Sequence, residues 1–415
     1  MKLIDKIRAF FKRSGAYFFD QAMVSGGSFL LTIMLGRALG PEAFGTFSLG
    51  WMGVLFVSSL QQAFILSPLL SLFAGQSEGY LVRLARLQLV IAFLTLFLGV
   101  MVVWANIALG KTLAFGELIF PIALASLGHQ LYDFRRKSLM VLQKVTRLQR
   151  LDAIVVSTQL LLAAGTIFTD LLSPVNALFL LAFSYSITSL IPVCLMAIKP
   201  DPAQTQNVLV IHWNYGRWLG ATALLQWFNG NFFILAGGAI LGTAAMGAIR
   251  MAQTITGALN VFLLTLENFV PVRAAQTMRT EGLSAMRKYL QTIGVKTALL
   301  FFPLLATLAL TAPWVIDLAF GASYVQYAFV LRGFAVLYCL VFVGTLLRFY
   351  FRTTGGTRQI FFGYIISTGA CLLLAQPVVQ AWGLTGITAG LVLSQILICA
   401  WLGFQIRFSY TRIPS

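Results

Sequence analysis

The stretch GRALGPEAFGTFSLGWMG, residues 36–53, lies between two strongly apolar runs, and a related stretch, GAILGTAAMGAIRMAQ, occupies residues 238–253. Both contain the pattern Leu-Gly-x-x-Ala-x-Gly, first at residues 39–45 and again 202 residues later at 241–247. Glycine at two fixed places allows a tight turn and a close approach of two helices. The repeat therefore predicts the same helix–turn–helix feature in each half of the chain.

The rest of the chain has the composition of a membrane protein. Hydrophobic residues make up 59% of it and charged residues only 10%, whereas a soluble domain carries roughly 25% charged residues. Apolar runs of about 18 residues or more indicate membrane-spanning helices. The hydropathy pattern predicts twelve spans, at residues 15–36, 44–70, 84–107, 115–134, 152–170, 176–198, 217–236, 243–270, 291–310, 325–347, 359–380 and 384–405.

The twelve spans divide into two halves of six. Each copy of the glycine pattern follows the first span of its half and opens the second. A second repeated sequence supports this division, because VVSTQLLLA (155–163) in span five resembles IISTGACLLLA (365–375) in span eleven. Since six spans separate the copies, the halves have the same orientation in the membrane. We therefore expect an all-α polytopic membrane protein with two parallel six-helix lobes around a central cavity.

The domain boundaries follow from the spans and from the polar segments between them. The predicted segments are an amphipathic helix on the inner leaflet at 1–14, an N-lobe at 15–198, a cytoplasmic linker at 199–216, a C-lobe at 217–405 and a cytoplasmic tail at 406–415.

The distribution of positive charge predicts the topology. If the N-terminus is cytoplasmic, all but four of the 29 Lys and Arg residues fall on the inner side, as the positive-inside rule requires. Both termini are then cytoplasmic, and the net charge of +17 needs no nucleic-acid partner to explain it. Four cysteines without motif spacing and two distant histidines, His129 and His212, predict no metal site. The sequence also contains no nucleotide loop or catalytic triad, so no cofactor and no enzymatic activity are expected.

The first glycine turn also resembles that of a known family. The polysaccharide-transporter branch of the multidrug/oligosaccharidyl-lipid/polysaccharide (MOP) flippase superfamily, which includes the Wzx-type flippases, has there an arginine, Leu-Gly-Pro-Glu, an aromatic residue and glycine. The matching residues here are Arg37, Leu39, Gly40, Pro41, Glu42, Phe44 and Gly45. AWGLTGITAGLVLSQ, residues 381–395, resembles the last outer turn of the same family.

This resemblance implies a flippase of the bacterial cytoplasmic (inner) membrane. The cargo it implies is an oligosaccharide linked to polyprenyl pyrophosphate, moved from the inner to the outer leaflet by alternating access for the assembly of O-antigen or exopolysaccharide. The expected partners are this glycolipid, membrane lipids and other polysaccharide-export proteins.

Cations that break the charge pattern are candidate contacts for an anionic cargo. Charges inside a bilayer are expensive, so they mark functional sites by default. Besides Lys111, in a short outer loop, the exceptions are Arg37, Arg250 and Arg332. A guanidinium forms paired hydrogen bonds with oxyanions and would suit a pyrophosphate. The alternative is that these side chains snorkel to the outer headgroups, or that Arg37 locks its turn against Glu42.

Other polar residues in the spans have two possible roles. Asp20 is a candidate for ion coupling, or a partner of Arg217 at the start of span seven, and Glu267 is a second coupling candidate. For both acids the alternative is a solvated residue at the membrane interface. His129 and Asp133, at i and i+4, form either a proton relay or, as we favour, a satisfied pair at the inner surface. The candidates for binding sugar by amide groups and one indole are Gln61, Gln226, Trp227, Asn229 and Asn231. For these, hydrogen bonding between helices is the alternative.

Two other functions compete with the flippase. An ion-coupled drug or metabolite antiporter of the same superfamily would share the twelve spans, but an exporter of cationic drugs would need buried acids not balanced by arginine. A membrane-bound sugar polymerase or ligase would need a sizeable outer loop with catalytic residues, and the predicted outer connections are short.

Overall fold

The computed structural model of the protein describes residues 2–73, 78–109, 116–198 and 207–410, with the side chains of residues 2–18, 78, 268 and 408–410 outside the description. Within these ranges the chain forms helices and turns, and no described residue lies in a β-strand. The helices are α1 (Lys2–Gln61), a π-helical turn (Gln62–Leu66), α2 (Ser67–Leu72), α3 (Glu78–Ala108), α4 (Gly116–Val141), α5 (Val145–Phe168), α6 (Pro174–Ala197), α7 (Val208–Leu241), α8 (Thr243–Gly257), α9 (Asn260–Leu310), α10 (Ala312–Phe320), a 3₁₀ helix (Ala322–Tyr327), α11 (Ala328–Thr353) and α12 (Thr357–Tyr410).

Twelve helical segments of membrane-spanning length follow from this list. Eight helices are long and apolar enough to cross a bilayer. Three of them consist of two arms that meet at a glycine with positive φ, at Gly40, Gly282 and Gly383. We count each arm separately, take α8 together with the first arm of α9 as the counterpart of the predicted span 243–270, and add the more polar α4. This gives twelve segments in the described part of the chain, which confirms the number predicted from the sequence.

The segments differ from the predicted spans in two respects. The helices extend beyond the apolar runs into polar residues; α7, for example, begins at Val208, inside the predicted linker. The connection between the ninth and tenth spans was expected to be a short loop, but it contains α10 and the 3₁₀ helix. Lys111, residues 199–206 of the linker and the side chains of the predicted amphipathic helix lie outside the described residues.

The chain forms two compact units. The first comprises Met1–Leu39 and Thr46–Leu224, and the second comprises Gly40–Gly45 and Leu225–Ser415. In the first unit α4 packs against α3 and α6, and in the second unit α11 packs against α8, α9 and α12. Each unit has an apolar core of its own, with Leu84 and Leu131 fully buried in the first and Phe301 and Phe349 in the second.

The two copies of the glycine pattern pack against each other within the second unit. Gly40 and Gly242 open their turns with φ values of 73° and 85° and with ψ near 180°, a conformation that is essentially restricted to glycine. Gly45 and Gly247 then form the contact. A Cβ on Gly45 would overlap the carbonyl oxygen of Thr243, and one on Gly247 would overlap that of Pro41. The backbones of the two repeats therefore touch where neither repeat has a side chain.

The helical connection between spans nine and ten, formed by α10 and the 3₁₀ helix, packs against Phe44 of the first repeat. The Phe44 ring lies 6.0 Å from the Phe320 ring of α10 and 6.4 Å from the Tyr324 ring of the 3₁₀ helix. All three side chains are almost completely buried. The segment 312–327 is therefore part of the packing around the glycine turn.

A π-helical turn interrupts the second span in the first unit. The wider turn of Gln62–Leu66 exposes the Phe64 carbonyl, which accepts a hydrogen bond from His212 Nδ1 of α7 at 2.8 Å. The His212 Nε2 is 2.7 Å from the Tyr80 hydroxyl, and the Phe64 ring stacks on Trp213. A π-turn of this kind is a common cause of a bend in a helix.

The backbone contact of the two repeats can be tested with a single methyl group. We expect Gly45→Ala to lower the midpoint of thermal unfolding of the purified protein, because the Cβ has no room beside Thr243. Gly165→Ala is the matched control, since nothing lies within 4 Å of a Cβ at Gly165 and alanine is better in a helix by about 1 kcal/mol. Equal midpoints for the two variants would contradict this close contact.

Candidate functional site

A buried ionic cluster connects three helices of the first unit. Arg136 of α4 donates from Nε to Asp152 Oδ2 of α5 at 2.7 Å and from Nη2 to Asp20 Oδ2 of α1 at 3.0 Å. The Tyr132 hydroxyl donates to the other oxygen of Asp152 at 2.7 Å. Asp20, Asp152 and Arg136 are 1%, 0% and 8% exposed. We call the three charged residues, Asp20, Arg136 and Asp152, the triad cluster.

The charges of the triad cluster do not balance. Two carboxylates share one guanidinium, which leaves one negative charge in excess if all three groups are ionised. Asp20 Oδ1 is buried and has no hydrogen-bond partner among the described residues. A buried carboxylate with an unsatisfied oxygen is costly, so a proton or a cation at this oxygen would stabilise the cluster. No group of three His, Cys, Asp or Glu residues suited to a metal occurs in the part of the chain that the structure describes.

The partner of Asp20 differs from the one considered in the sequence. Arg217 lies exposed on α7, and the ion pair of Asp20 is with Arg136 instead. Sequence reasoning counted Arg136 among the cytoplasmic cations and did not single out Asp152. An acid at the first position of an apolar span, as Asp152 is, was the available signal, but which arginine faces it depends on helix packing.

His129 has a closer neighbour than the predicted partner. Its Nδ1 is 2.8 Å from the Ser58 hydroxyl and 3.6 Å from the Asp133 carboxylate. The edges of the Trp51 and Tyr185 rings meet the imidazole, with centroids at 5.6 and 5.0 Å. The ring is thus enclosed by groups of the first unit, and its hydrogen-bond neighbour is Ser58 and not Asp133. The pairing of His129 with Asp133 stays a prediction.

Two of the five sugar-binding candidates form hydrogen bonds between helices. Gln61 Nε2 donates to Gln88 Oε1 at 3.0 Å and to the Gln130 carbonyl at 2.7 Å. Asn229 Nδ2 donates to the Ser367 hydroxyl at 2.6 Å. Both side chains are buried, so the alternative role given above describes the contacts that these amides make.

The other three candidates lie close together on α7. Gln226 is exposed, Trp227 is partly exposed, and the Asn231 amide donates to the Trp227 carbonyl one turn earlier at 2.8 Å. This part of α7 therefore presents an amide and an indole that are accessible to a ligand.

The arginines differ sharply in their surroundings. Arg37 and Arg332 are exposed, and Arg332 Nε donates to the Ala309 carbonyl at 3.2 Å. Glu267 on α9 is also exposed.

Arg250, about 12 Å along α8 from Gly242 at 1.5 Å per residue, is only partly exposed. Its Nε is buried without a hydrogen-bond partner among the described residues.

Arg250 is also not neutralised. No described carboxylate lies within ion-pair distance of it, in contrast to Arg136. An arginine in a membrane-spanning helix normally has a partner or points into a water-filled cavity. Arg250 is therefore a cation of the second unit that no described carboxylate balances.

Comparison with solved structures identifies proteins that share this fold. A multidrug resistance MATE family transporter of the MOP superfamily, in an inward-facing conformation, matches with a TM-score of 0.71 at 16% identity, over 95% of this chain and 96% of that one. The Lipid II flippase MurJ, in an inward closed conformation, matches with a TM-score of 0.69 at 12% identity, over 96% of this chain and 87% of that one. A MOP superfamily transporter from Pyrococcus furiosus matches with a TM-score of 0.60 at 15% identity, over 95% of this chain and 96% of that one.

The protein has the fold of the MOP superfamily, twelve helices in two lobes. It belongs to the family described as "Polysaccharide biosynthesis protein", whose sequence profile matches residues 34–329. This confirms the resemblance drawn from the first glycine turn. None of the curated protein sequences matches the chain.

The triad cluster makes a prediction about stability. Arg136→Leu leaves two buried carboxylates facing each other, and breaking a buried pair in this way costs about 3–5 kcal/mol. We expect a clearly lower unfolding midpoint for the purified variant. Arg150→Leu, which removes an exposed cation of α5, should change the midpoint little.

A triple variant distinguishes the contribution of the cluster's charges to stability from the contribution of its packing. Adding Asp20→Asn and Asp152→Asn to Arg136→Leu removes the charges that the guanidinium neutralised, so most of the lost stability should return. A triple variant as unstable as Arg136→Leu alone would show that the cluster acts through packing and not through its charges.

Proposed function

We propose that this protein is a flippase that moves a polyprenyl-pyrophosphate-linked oligosaccharide from the inner to the outer leaflet of the bacterial cytoplasmic membrane, by alternating access, for the assembly of O-antigen or exopolysaccharide. Membership of the polysaccharide biosynthesis family supports the sugar pathway. The MOP fold, shared with the Lipid II flippase MurJ, supports movement of a lipid-linked cargo. Both findings favour a transporter or flippase over an enzyme.

The observation that carries the proposal is the unneutralised guanidinium of Arg250. A pyrophosphate is a dense anion that must leave water to cross the membrane. An arginine held without a carboxylate in a spanning helix offers it charge-assisted hydrogen bonds. We assign the same role, with weaker support, to the exposed Arg37, Arg217 and Arg332.

The sugar part of the cargo requires hydrogen bonds and a flat apolar face. Gln226 and Trp227 are accessible on α7 and are our first choice. Asn231 lies on the next turn. Gln61 and Asn229 would act by holding the neighbouring helices in place, because their amides are already bonded.

Coupling to an ion gradient is the second part of the proposal. The excess negative charge of the triad cluster and the unsatisfied oxygen of Asp20 support Asp20 as the group that takes up a proton or cation. Glu267 is the other candidate, although its exposed position gives it less support. The topology we propose places both termini in the cytoplasm, and association with other polysaccharide-export proteins is part of the same hypothesis.

The competing function is an ion-coupled drug or metabolite antiporter, and the same fold would serve it. Arg250, which has no carboxylate among the described residues, favours the anionic cargo. The excess carboxylate of the triad cluster is the feature that an exporter of cationic drugs would use.

Arg250→Met tests the anion site. The variant should abolish surface polysaccharide, because the charge that holds the pyrophosphate is gone. Its unfolding midpoint in detergent should be unchanged or higher, since methionine removes the cost of burying an unpaired charge. Arg279→Met, an exposed cation on α9, is the control and should leave polymer output normal. Normal polymer from the Arg250 variant would exclude this site.

Deletion of the protein tests the function itself. Mass analysis of membrane lipids should then show a lipid-linked repeat unit accumulating on the inner leaflet, and its mass identifies the sugar. Sensitivity to a drug without any such accumulation would instead establish the antiporter.

A further inference from the structure

An apolar groove runs along one side of the second unit. It has a volume of about 430 Å³ and is bordered by α9 and α11, with Ile406 of α12 contributing to its wall. Arg287 and Tyr350 lie at one end, Ala298 in the middle, and Phe302 and Phe342 at the other end. We call it the α9–α11 groove. Its volume falls in the range of roughly 300–1,000 Å³ that ligand sites occupy.

One end of the groove carries a positive charge held in a fixed position. Arg287 Nη2 donates to the Tyr350 hydroxyl at 2.8 Å, and the guanidinium lies 5.4 Å from the centroid of the Tyr350 ring. The segment 271–296 around it contains five cations and a single acid, Glu281. Basic pockets between membrane helices bind anionic lipid headgroups.

The length of the groove corresponds to one leaflet. Fifteen residues separate Arg287 from Phe302 on α9, which is about 22 Å at 1.5 Å per residue. Half of a bilayer, headgroups included, is also about 20–22 Å thick. At the far end the rings of Phe302 and Phe342 meet edge to face at 5.5 Å. A headgroup at Arg287 would therefore place the end of an acyl chain beside these rings.

We propose that the α9–α11 groove binds one anionic phospholipid, with its phosphate at Arg287 and one acyl chain lying along Ala298 towards Phe302 and Phe342. The apolar walls match the chain and the guanidinium matches the phosphate. The polyprenyl carrier is a competing occupant, but its chain is longer than one leaflet. The site does not depend on the transport function proposed above.

The test measures lipid retention by the purified full-length protein with native mass spectrometry. Phosphatidylglycerol and phosphatidylcholine are added in equal amounts, and the wild type should retain one molecule of the anionic lipid preferentially. Arg287→Gln should reduce this preference about tenfold, the effect of losing one charge-assisted contact. Lys288→Gln removes an exposed cation that does not line the groove and should have no effect.

The walls are tested separately from the charge. Ala298→Phe fills the groove and should abolish retention of both lipids, while Val272→Phe adds the same bulk at an exposed site of α9 and should not. The Val272→Phe control distinguishes a lost site from a misfolded helix.

Two outcomes would overturn the proposal. Equal retention of phosphatidylglycerol by Arg287→Gln and Lys288→Gln would mean that the lipid is held by general surface charge. Displacement of phosphatidylglycerol by polyprenyl phosphate at equal concentration would mean that the groove serves the carrier and not a phospholipid.

Discussion

The contact between the two glycine repeats is the constraint on which the second unit depends. Gly45 lies against the Thr243 carbonyl and Gly247 against the Pro41 carbonyl. Because backbone meets backbone, the distance between these turns is set by atoms that every residue has, and any side chain would push them apart. α8 begins in this contact, so the position of Arg250 along its helix follows from it. The repetition of the pattern in the sequence thus reflects a pairing of the two copies, in addition to the duplication of a fold.

The buried charges of the protein have two opposite environments. In the first unit Arg136 lies between two carboxylates, one of which also accepts a hydrogen bond from Tyr132, and the three charged side chains are buried. In the second unit Arg250 has no carboxylate within reach among the described residues. A stability argument accounts for the first arrangement, since buried charges need partners. It does not account for the second, which is why we propose a binding role for Arg250.

Much of the fold could be predicted from the sequence, because each prediction depended on one helix at a time. Apolar run length predicted the twelve spans, and glycine spacing predicted the turns at Gly40 and Gly242. The turn at Gly383 was expected from the resemblance to the last outer turn of the family. The helix ends were longer than expected, since hydropathy marks only the apolar part and a helix continues into polar residues while its hydrogen bonds persist. The helical segment 312–327 was missed because its role, covering Phe44, comes from a residue some 270 positions earlier.

The candidate site was less predictable for the same reason. Asp20, Arg250 and Gln61 were recognisable as polar residues in apolar spans, but the partners of Asp20 and Gln61 lie on other helices. Asp20 meets Arg136 across 116 residues of sequence, and Gln61 meets the Gln130 carbonyl across 69. Nothing in the spacing along one helix identifies such pairs. Whether an amide faces a ligand or a neighbouring helix is decided by packing, which a single sequence does not display.

The π-helical turn at Gln62–Leu66 has a geometric consequence for the span that contains it. In a regular α-helix, residues three apart lie on nearly the same face. Here Gln61 bonds to Gln88 and Gln130, while Phe64 lies against Gly216 and Gly220 of α7. The wider turn between Gln61 and Phe64 changes the direction in which the later side chains point around the helix axis. The side chains of Gln61 and Phe64, which would point in nearly the same direction in a regular α-helix, can therefore contact different neighbouring helices.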